Sequence, residues 1–163
     1  MNVETTRFGT IQVAEDSVFT FAEGLPGFEG PRRMALLGSG QVPGHPQAVS
    51  EQQTMYWLQD VDDGALAFLC IVPWVAFPEY EIDLDVDGLG ITDEQDVCVL
   101  TIVTVRRGDA MLQMSTNLRA PVVINAATRQ ARQVILTNNR WPVVAVFAVS
   151  GAEPVVSGAQ EVA

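Results

Sequence analysis

Residues 79 to 87 read Glu-Tyr-Glu-Ile-Asp-Leu-Asp-Val-Asp, and the alternation of acid and apolar side chain has no fault in it. Successive side chains of a strand point to opposite faces. The run therefore predicts a β-strand with Tyr80, Ile82, Leu84 and Val86 on one face and Glu79, Glu81, Asp83, Asp85 and Asp87 on the other. Carboxylates two residues apart on such a strand lie about 7 Å from each other. At that distance two charges repel in water by roughly 0.6 kcal/mol, before salt screens them. A folded domain tolerates a row of five at a cost on the order of 1–2 kcal/mol. The pattern alone is compatible with a solvated outer face and with a docking face for a basic partner, whose encounter a complementary field would speed.

The stretch just before it is as restrictive. Leu66 to Val72 is continuously apolar, as a strand buried on both faces requires, and Pro73 and Pro78 predict a bend between this strand and the acidic one. Further β-rich runs are short and separated by turn residues. Val3–Thr6 and Thr10–Val13 predict a hairpin, and Val18–Phe21, Met34–Leu37 and Met55–Gln59 predict strands. So do Val97–Val105, Ala110–Thr116, Val122–Ile124, Gln133–Leu136 and the run Trp141–Val149. The segment from Glu23 to Pro31 is dense in Gly and Pro and predicts an irregular loop with Phe28 plugged into the core. Gly38–Ser50 reads as a polar loop. Thr92 and Gln95 have capping-box spacing and predict one short helix. Some ten short strands with one or two short helices imply a mainly β fold, a small antiparallel β-barrel or barrel-like sandwich. Residues 1–150 form one domain in this reading, and 151–163, small and polar, a disordered tail.

Composition narrows the function. A 48% hydrophobic and 18% charged chain of 163 residues has a core. The net charge of −11 argues against direct nucleic-acid binding, which needs clustered basic groups; all nine basic residues are arginines, and Arg106-Arg107 is too small a patch. The N-terminus lacks a signal-peptide pattern and no apolar run reaches membrane-spanning length, so a cytoplasmic protein without a membrane partner is expected. Cys70 and Cys98 sit in apolar strand-like runs, as reduced buried thiols do.

Catalytic and metal patterns are absent in the sequence. The single histidine, His45, lies between Gly44 and Pro46 in the loosest loop, which leaves a serine or cysteine nucleophile without a placed base. One histidine and two strand cysteines give no zinc spacing. Asp60-Val-Asp-Asp-Gly64 superficially matches a calcium loop, but Ala65 and Ile71 stand where glycine and glutamate are needed, so a tight turn is predicted. Gly38-Ser-Gly40 lacks the rest of a dinucleotide fingerprint. Paired carboxylates, Asp83 with Asp85 or Asp93 with Glu94 and Asp96, would suit a hydrolase, and a self-associating β-domain is a third reading. The residues favour a binding protein that is not an enzyme and carries no metal or cofactor.

Five separated blocks, in order, carry a more specific signal. They are Phe21-Ala-Glu-Gly-Leu-Pro26-Gly27-Phe28-Glu29; Trp57-Leu-Gln59 with Leu66-Ala-Phe68 and Val72-Pro73; and Phe77-Pro78-Glu-Tyr80-Glu-Ile. Then come Asp96-Val97 running into Val99–Thr104, and Thr116-Asn117-Leu118-Arg-Ala120-Pro121-Val-Val-Ile124-Asn125 with Arg129 and Gln133–Leu136. Together these resemble FliW, the flagellar assembly factor family of bacteria, from about Val3 to Val149. The resemblance implies a small β-barrel without catalytic activity and a two-partner switch. Such a protein binds flagellin in the cytoplasm and, once flagellin is exported, binds the translational repressor CsrA away from its RNA-binding surface and relieves repression of flagellin mRNA. On this reading the acidic ladder and Asp93, Glu94 and Asp96 are candidates for docking CsrA by their chemistry. Phe77 and Tyr80 are candidates for flagellin, with core packing as their other reading. The loop at Gly38–Ser50 is longer than the family usually has, and the tail lies outside the resemblance.

Overall fold

A computed structural model of the chain describes residues 1–38, 55–82, 89–108, 112–137 and 140–147. The loop Gly38–Ser50 after its first residue, the acids Asp83, Asp85 and Asp87, and the predicted tail lie outside the described residues.

Thirteen strands are described: β1 Asn2–Thr5, β2 Gly9–Gln12, β3 Val18–Phe21, β4 Gly24–Leu25, β5 Phe28–Glu29, β6 Arg32–Gly38 and β7 Met55–Asp60. They continue with β8 Ala67–Ile71, β9 Val97–Arg107, β10 Leu112–Thr116, β11 Val122–Asn125, β12 Gln130–Gln133 and β13 Ala145–Phe147. Seven close into a barrel in the order β9-β11-β12-β3-β6-β7-β8 and back to β9. Closure depends on the length of β9. Its first half pairs antiparallel with β11, Val97 opposite Asn125 through Leu100 opposite Val122. Its second half pairs with β10, Val103 opposite Thr116 through Arg107 opposite Leu112, and β13 adds beyond β10. One contact departs from the expected antiparallel rule: β12 runs parallel to β3, Gln130 opposite Thr20 and Ala131 opposite Phe21.

The fork in β9 has a local cause. Thr116 ends β10 and turns its buried hydroxyl back to Ile102 O (2.7 Å) and Thr101 Oγ1 (2.8 Å). Asn117 Oδ1 then accepts from Arg119 N at 3.0 Å, folding the chain into the crossover toward β11. At the far end of β11, Asn125 Oδ1 accepts from Ala127 N and its Nδ2 donates to Leu89 O at 2.7 Å. Short polar side chains that bond nearby backbone are turn-formers, which accounts for these two asparagines structurally.

Alternation on the barrel strands sorts side chains into two cores. Phe19, Phe21, Met34, Leu58, Phe68, Cys70, Leu100, Val122, Ile124 and Ala131 come from all seven barrel strands and fill the interior. The opposite faces of β6 to β9 carry Ala35, Leu37, Trp57, Leu69, Ile71, Val103 and Val105, which pack beneath the β1–β2 hairpin through Val3, Ile11 and Val13 and beside Met114 and Phe147. A strand sequence apolar on both faces, as β8 is, needs both layers. Each fully buried large side chain contributes about 1.5–3 kcal/mol. The hairpin is docked by main chain as well: Thr6 N donates to Gly64 O at 2.9 Å.

Several expectations need correction. Glu23–Pro31 holds a minimal hairpin, β4 against β5, and Phe28 is 37% exposed, its ring meeting Phe68 edge-on rather than entering the core. Pro73 opens a one-turn α-helix, α1 (Pro73–Ala76), where proline at the first position has no hydrogen bond to lose. The short helix expected from Thr92 and Gln95 is a 3-10 turn, Glu94–Asp96, capped by Asp93 Oδ1 on Gln95 N and not by Thr92; a further 3-10 turn spans Glu15–Ser17. The strand expected at Gln133–Leu136 lies earlier, at Gln130–Gln133, and among the described residues of the final run strand is confined to Ala145–Phe147. The Asp60–Gly64 turn is as expected: buried Asp60 accepts from Asp62 N and Asp63 N at 2.8 Å each and from Arg32 Nη1 at 2.8 Å, so its oxygens are occupied by donors.

Candidate functional site

The segment Glu79–Ile82 is not a strand of any sheet, contrary to the periodicity. The alternation nevertheless holds: Glu79 and Glu81 are exposed, Tyr80 is 1% exposed and Ile82 half-buried. Side chains, not a ladder, fix it. Tyr80 N donates to Phe77 O at 3.0 Å. Trp74 Nε1 donates to Tyr80 O, and Trp141 Nε1 donates to Glu81 O at 3.1 Å, so two indoles grip consecutive carbonyls. The Tyr80 ring sits between them, 5.7 Å from Trp74 and 4.9 Å from Trp141 by ring centroids. Its hydroxyl donates to Leu118 O at 2.7 Å, inside the crossover that leaves β10. Burial pushes the Tyr80 phenol above its ordinary pKa, so the hydroxyl remains a donor through the neutral range.

Of the two readings for Tyr80, this packing favours the core: at 1% exposure its side chain offers a partner almost no surface. Phe77 is half-buried and packs edge-on to Phe147 at 6.2 Å between ring centroids. Exposed apolar side chains on the adjoining chain segments are Trp74, at 36%, and Val75 on α1, and Val143 and Val144 following Trp141. Arg140 stands over the Trp141 ring, 5.0 Å from its centroid, with Nη1 3.6 Å from Glu81 Oε2. Arg119 Nε donates to Trp141 O at 3.0 Å and holds the same segment from behind.

The second acidic group is separate in the chain. Asp93 and Glu94 are exposed and Asp96 is half-buried, in the 3-10 turn leading into β9. Asp96 O accepts from Ala126 N at 2.8 Å, which ties that turn to the end of β11. The structure thus offers exposed carboxylates at Glu79, Glu81, Asp93 and Glu94. Trp74, Trp141 and Arg140 are the members that sequence reasoning missed. Their only signal was the scarcity of tryptophan, because Trp141 meets Glu81 across 60 residues of chain.

Among the described residues no group of three or more His, Cys, Asp or Glu side chains could hold a metal ion. Cys70 and Cys98 are free, and burial raises the pKa of both thiols, which disfavours the nucleophilic thiolate. No helix among the described residues is long and apolar enough to cross a membrane. What the surface can do is hold another protein: half-exposed tryptophans beside charged groups are the common centre of protein interfaces.

Comparison with known proteins gives the context. The family model for FliW protein matches residues 2–146. The flagellar assembly factor FliW of Syntrophus aciditrophicus (strain SB) is 36% identical over 146 residues, spanning 88% of this chain and 85% of that protein. The flagellar assembly factor FliW of Geobacillus kaustophilus (strain HTA426) is 38% identical over 144 residues, 86% of this chain and 91% of the relative. A crystal structure of the flagellar assembly factor FliW superposes with a TM-score of 0.72 at 35% identity, covering 89% of this chain and 95% of that one. With sequence and barrel in agreement over nearly the whole chain, this protein belongs to the FliW family of flagellar assembly factors.

Proposed function

We propose that this flagellar assembly factor acts in the cytoplasm by holding two proteins in turn. It binds flagellin while flagellin accumulates; when flagellin is exported, the freed protein binds the repressor CsrA and relieves repression of flagellin mRNA. Family membership over residues 2–146 carries the reading. The chemistry of the surface supports it. The chain bears a net charge of −11, and the candidate acids Glu79, Glu81, Asp93 and Glu94 are among its exposed ones, which suits a basic RNA-binding protein as partner. A switch of this kind requires only that the two partners differ in affinity and concentration; each 1.4 kcal/mol is about tenfold.

The test is a competition measured with purified proteins. The chain should form a complex with CsrA that flagellin dissolves, and association with CsrA should slow as salt rises. Reversing Glu79 and Glu81 to lysine should weaken the CsrA complex on the order of tenfold, since each exposed pair is worth at most about 1 kcal/mol and reversal adds repulsion. A folded double variant with unchanged affinity would reject the acidic flank as the docking face. Extending the reversal to Asp83, Asp85, Asp87, Asp93, Glu94 and Asp96, one at a time, maps how far that face runs.

A further inference from the structure

The aromatic platform already holds one guanidinium. Arg140 lies over Trp141 and beside Glu81, a cation on an indole face with a carboxylate at its edge. That is the arrangement in which arginine is recognised at protein interfaces. Both partners remain open to water: the side chains of Arg140 and Glu81 are 59% and 78% exposed. An ion pair so exposed is worth at most about 1 kcal/mol, so an equivalent pair can replace it. On the Trp74 side of Tyr80, Trp74 and Val75 are 36% and 47% exposed, apolar area that a partner could cover.

We propose that this platform is the docking site for an arginine-bearing segment of the basic partner, and that Arg140 is a resident stand-in which the partner's arginine displaces. The proposal deepens the function argued above and rests on it. An incoming guanidinium takes the Trp141 face and the Glu81 carboxylate, apolar neighbours in the segment cover Trp74 and Val75, and a second cation meets Glu79. The charge identifies the occupant. A second copy of this chain would bring another net −11 against the two glutamates, and nucleic acid would bring phosphates. A basic segment with apolar residues satisfies both halves of the surface. The affinity of the site is set partly from within, because the partner must compete with Arg140.

The experiment is titration calorimetry of purified CsrA into the full chain and its variants, each verified as folded by circular dichroism. Arg140→Gln should bind about two- to fivefold tighter than the parent, the worth of one exposed cation–π contact. Arg107→Gln removes the same charge from an exposed position outside the platform and should gain less than half as much. Glu79→Gln with Glu81→Gln should weaken binding about fivefold, and Val75→Lys should weaken it as well. A gain in Arg107→Gln equal to that in Arg140→Gln, or no gain in Arg140→Gln, overturns the stand-in. If the parent binds CsrA while the glutamine pair and Val75→Lys bind within twofold of it, the platform is not the site and the function argued above stands. If the parent forms no complex with CsrA, that function falls and this proposal with it.

Discussion

Replacing Tyr80 by phenylalanine isolates a single atom of the platform. The ring contacts with Trp74 and Trp141 are kept, so no cavity opens. What disappears is the 2.7 Å hydrogen bond to the Leu118 carbonyl, 38 residues away and buried. An ordinary hydrogen bond is worth about 1 kcal/mol net, and leaving a buried acceptor without a partner costs about 1–3 kcal/mol. The variant should therefore lose about 1–3 kcal/mol, or about 2–12 °C in Tm for a chain of this size. Urea unfolding followed by tryptophan fluorescence is the assay, because two of the three tryptophans flank Tyr80. The midpoint should fall while the slope stays the same. Alkaline pH supplies a second readout. The folded state raises the phenol pKa above its unfolded value of about 10, so the stabilisation is complete below that pH and falls away as pH rises past it. The parent should lose stability above about pH 10 more steeply than the phenylalanine variant, which has no phenol to ionise. A Tyr80→Phe midpoint equal to the parent's at neutral pH would refute the idea that this hydroxyl fastens the acidic segment to the crossover.

Other outcomes follow from the same contacts. A Cβ on Gly64 would sit 2.1 Å from the Glu4 carbonyl oxygen, so Gly64→Ala should push the β1–β2 hairpin off the barrel and cost about 1–3 kcal/mol in urea unfolding. Cys70 should resist alkylation at neutral pH in the folded protein and react only on unfolding, since its thiol is wholly buried and its pKa is raised; fast labelling of native protein would contradict the barrel interior assigned to it.

Much of the barrel was legible because its cause is local. A strand buried on two sides must be apolar at every position, and Ala67–Ile71 is. The hairpin at Asn2–Gln12 and the turn at Asp60–Gly64 were written in short-range chemistry that no distant residue alters. The same logic misplaced the described part of the acidic segment, Glu79–Ile82. Its period of two correctly assigned Tyr80 inward and Glu81 outward, but period says only which face a side chain takes and not whether a neighbouring strand is present to pair with. Two indole N–H groups satisfy Tyr80 and Glu81 where a ladder was expected.

The amino-acid order by itself determined the class of this protein: many short strands, two apolar faces on the central ones, and a negative net charge. Those properties depend on neighbours within a few residues and on summed charge, both of which can be read along a line. Tertiary structure decided the rest. It closed the ring by dividing β9 between β11 and β10, laid β12 parallel to β3, and brought Trp74, Tyr80, Glu81, Arg140 and Trp141 into one platform. Those choices follow from which distant surfaces exclude water and satisfy hydrogen bonds together, a condition on the whole chain at once that no local pattern encodes.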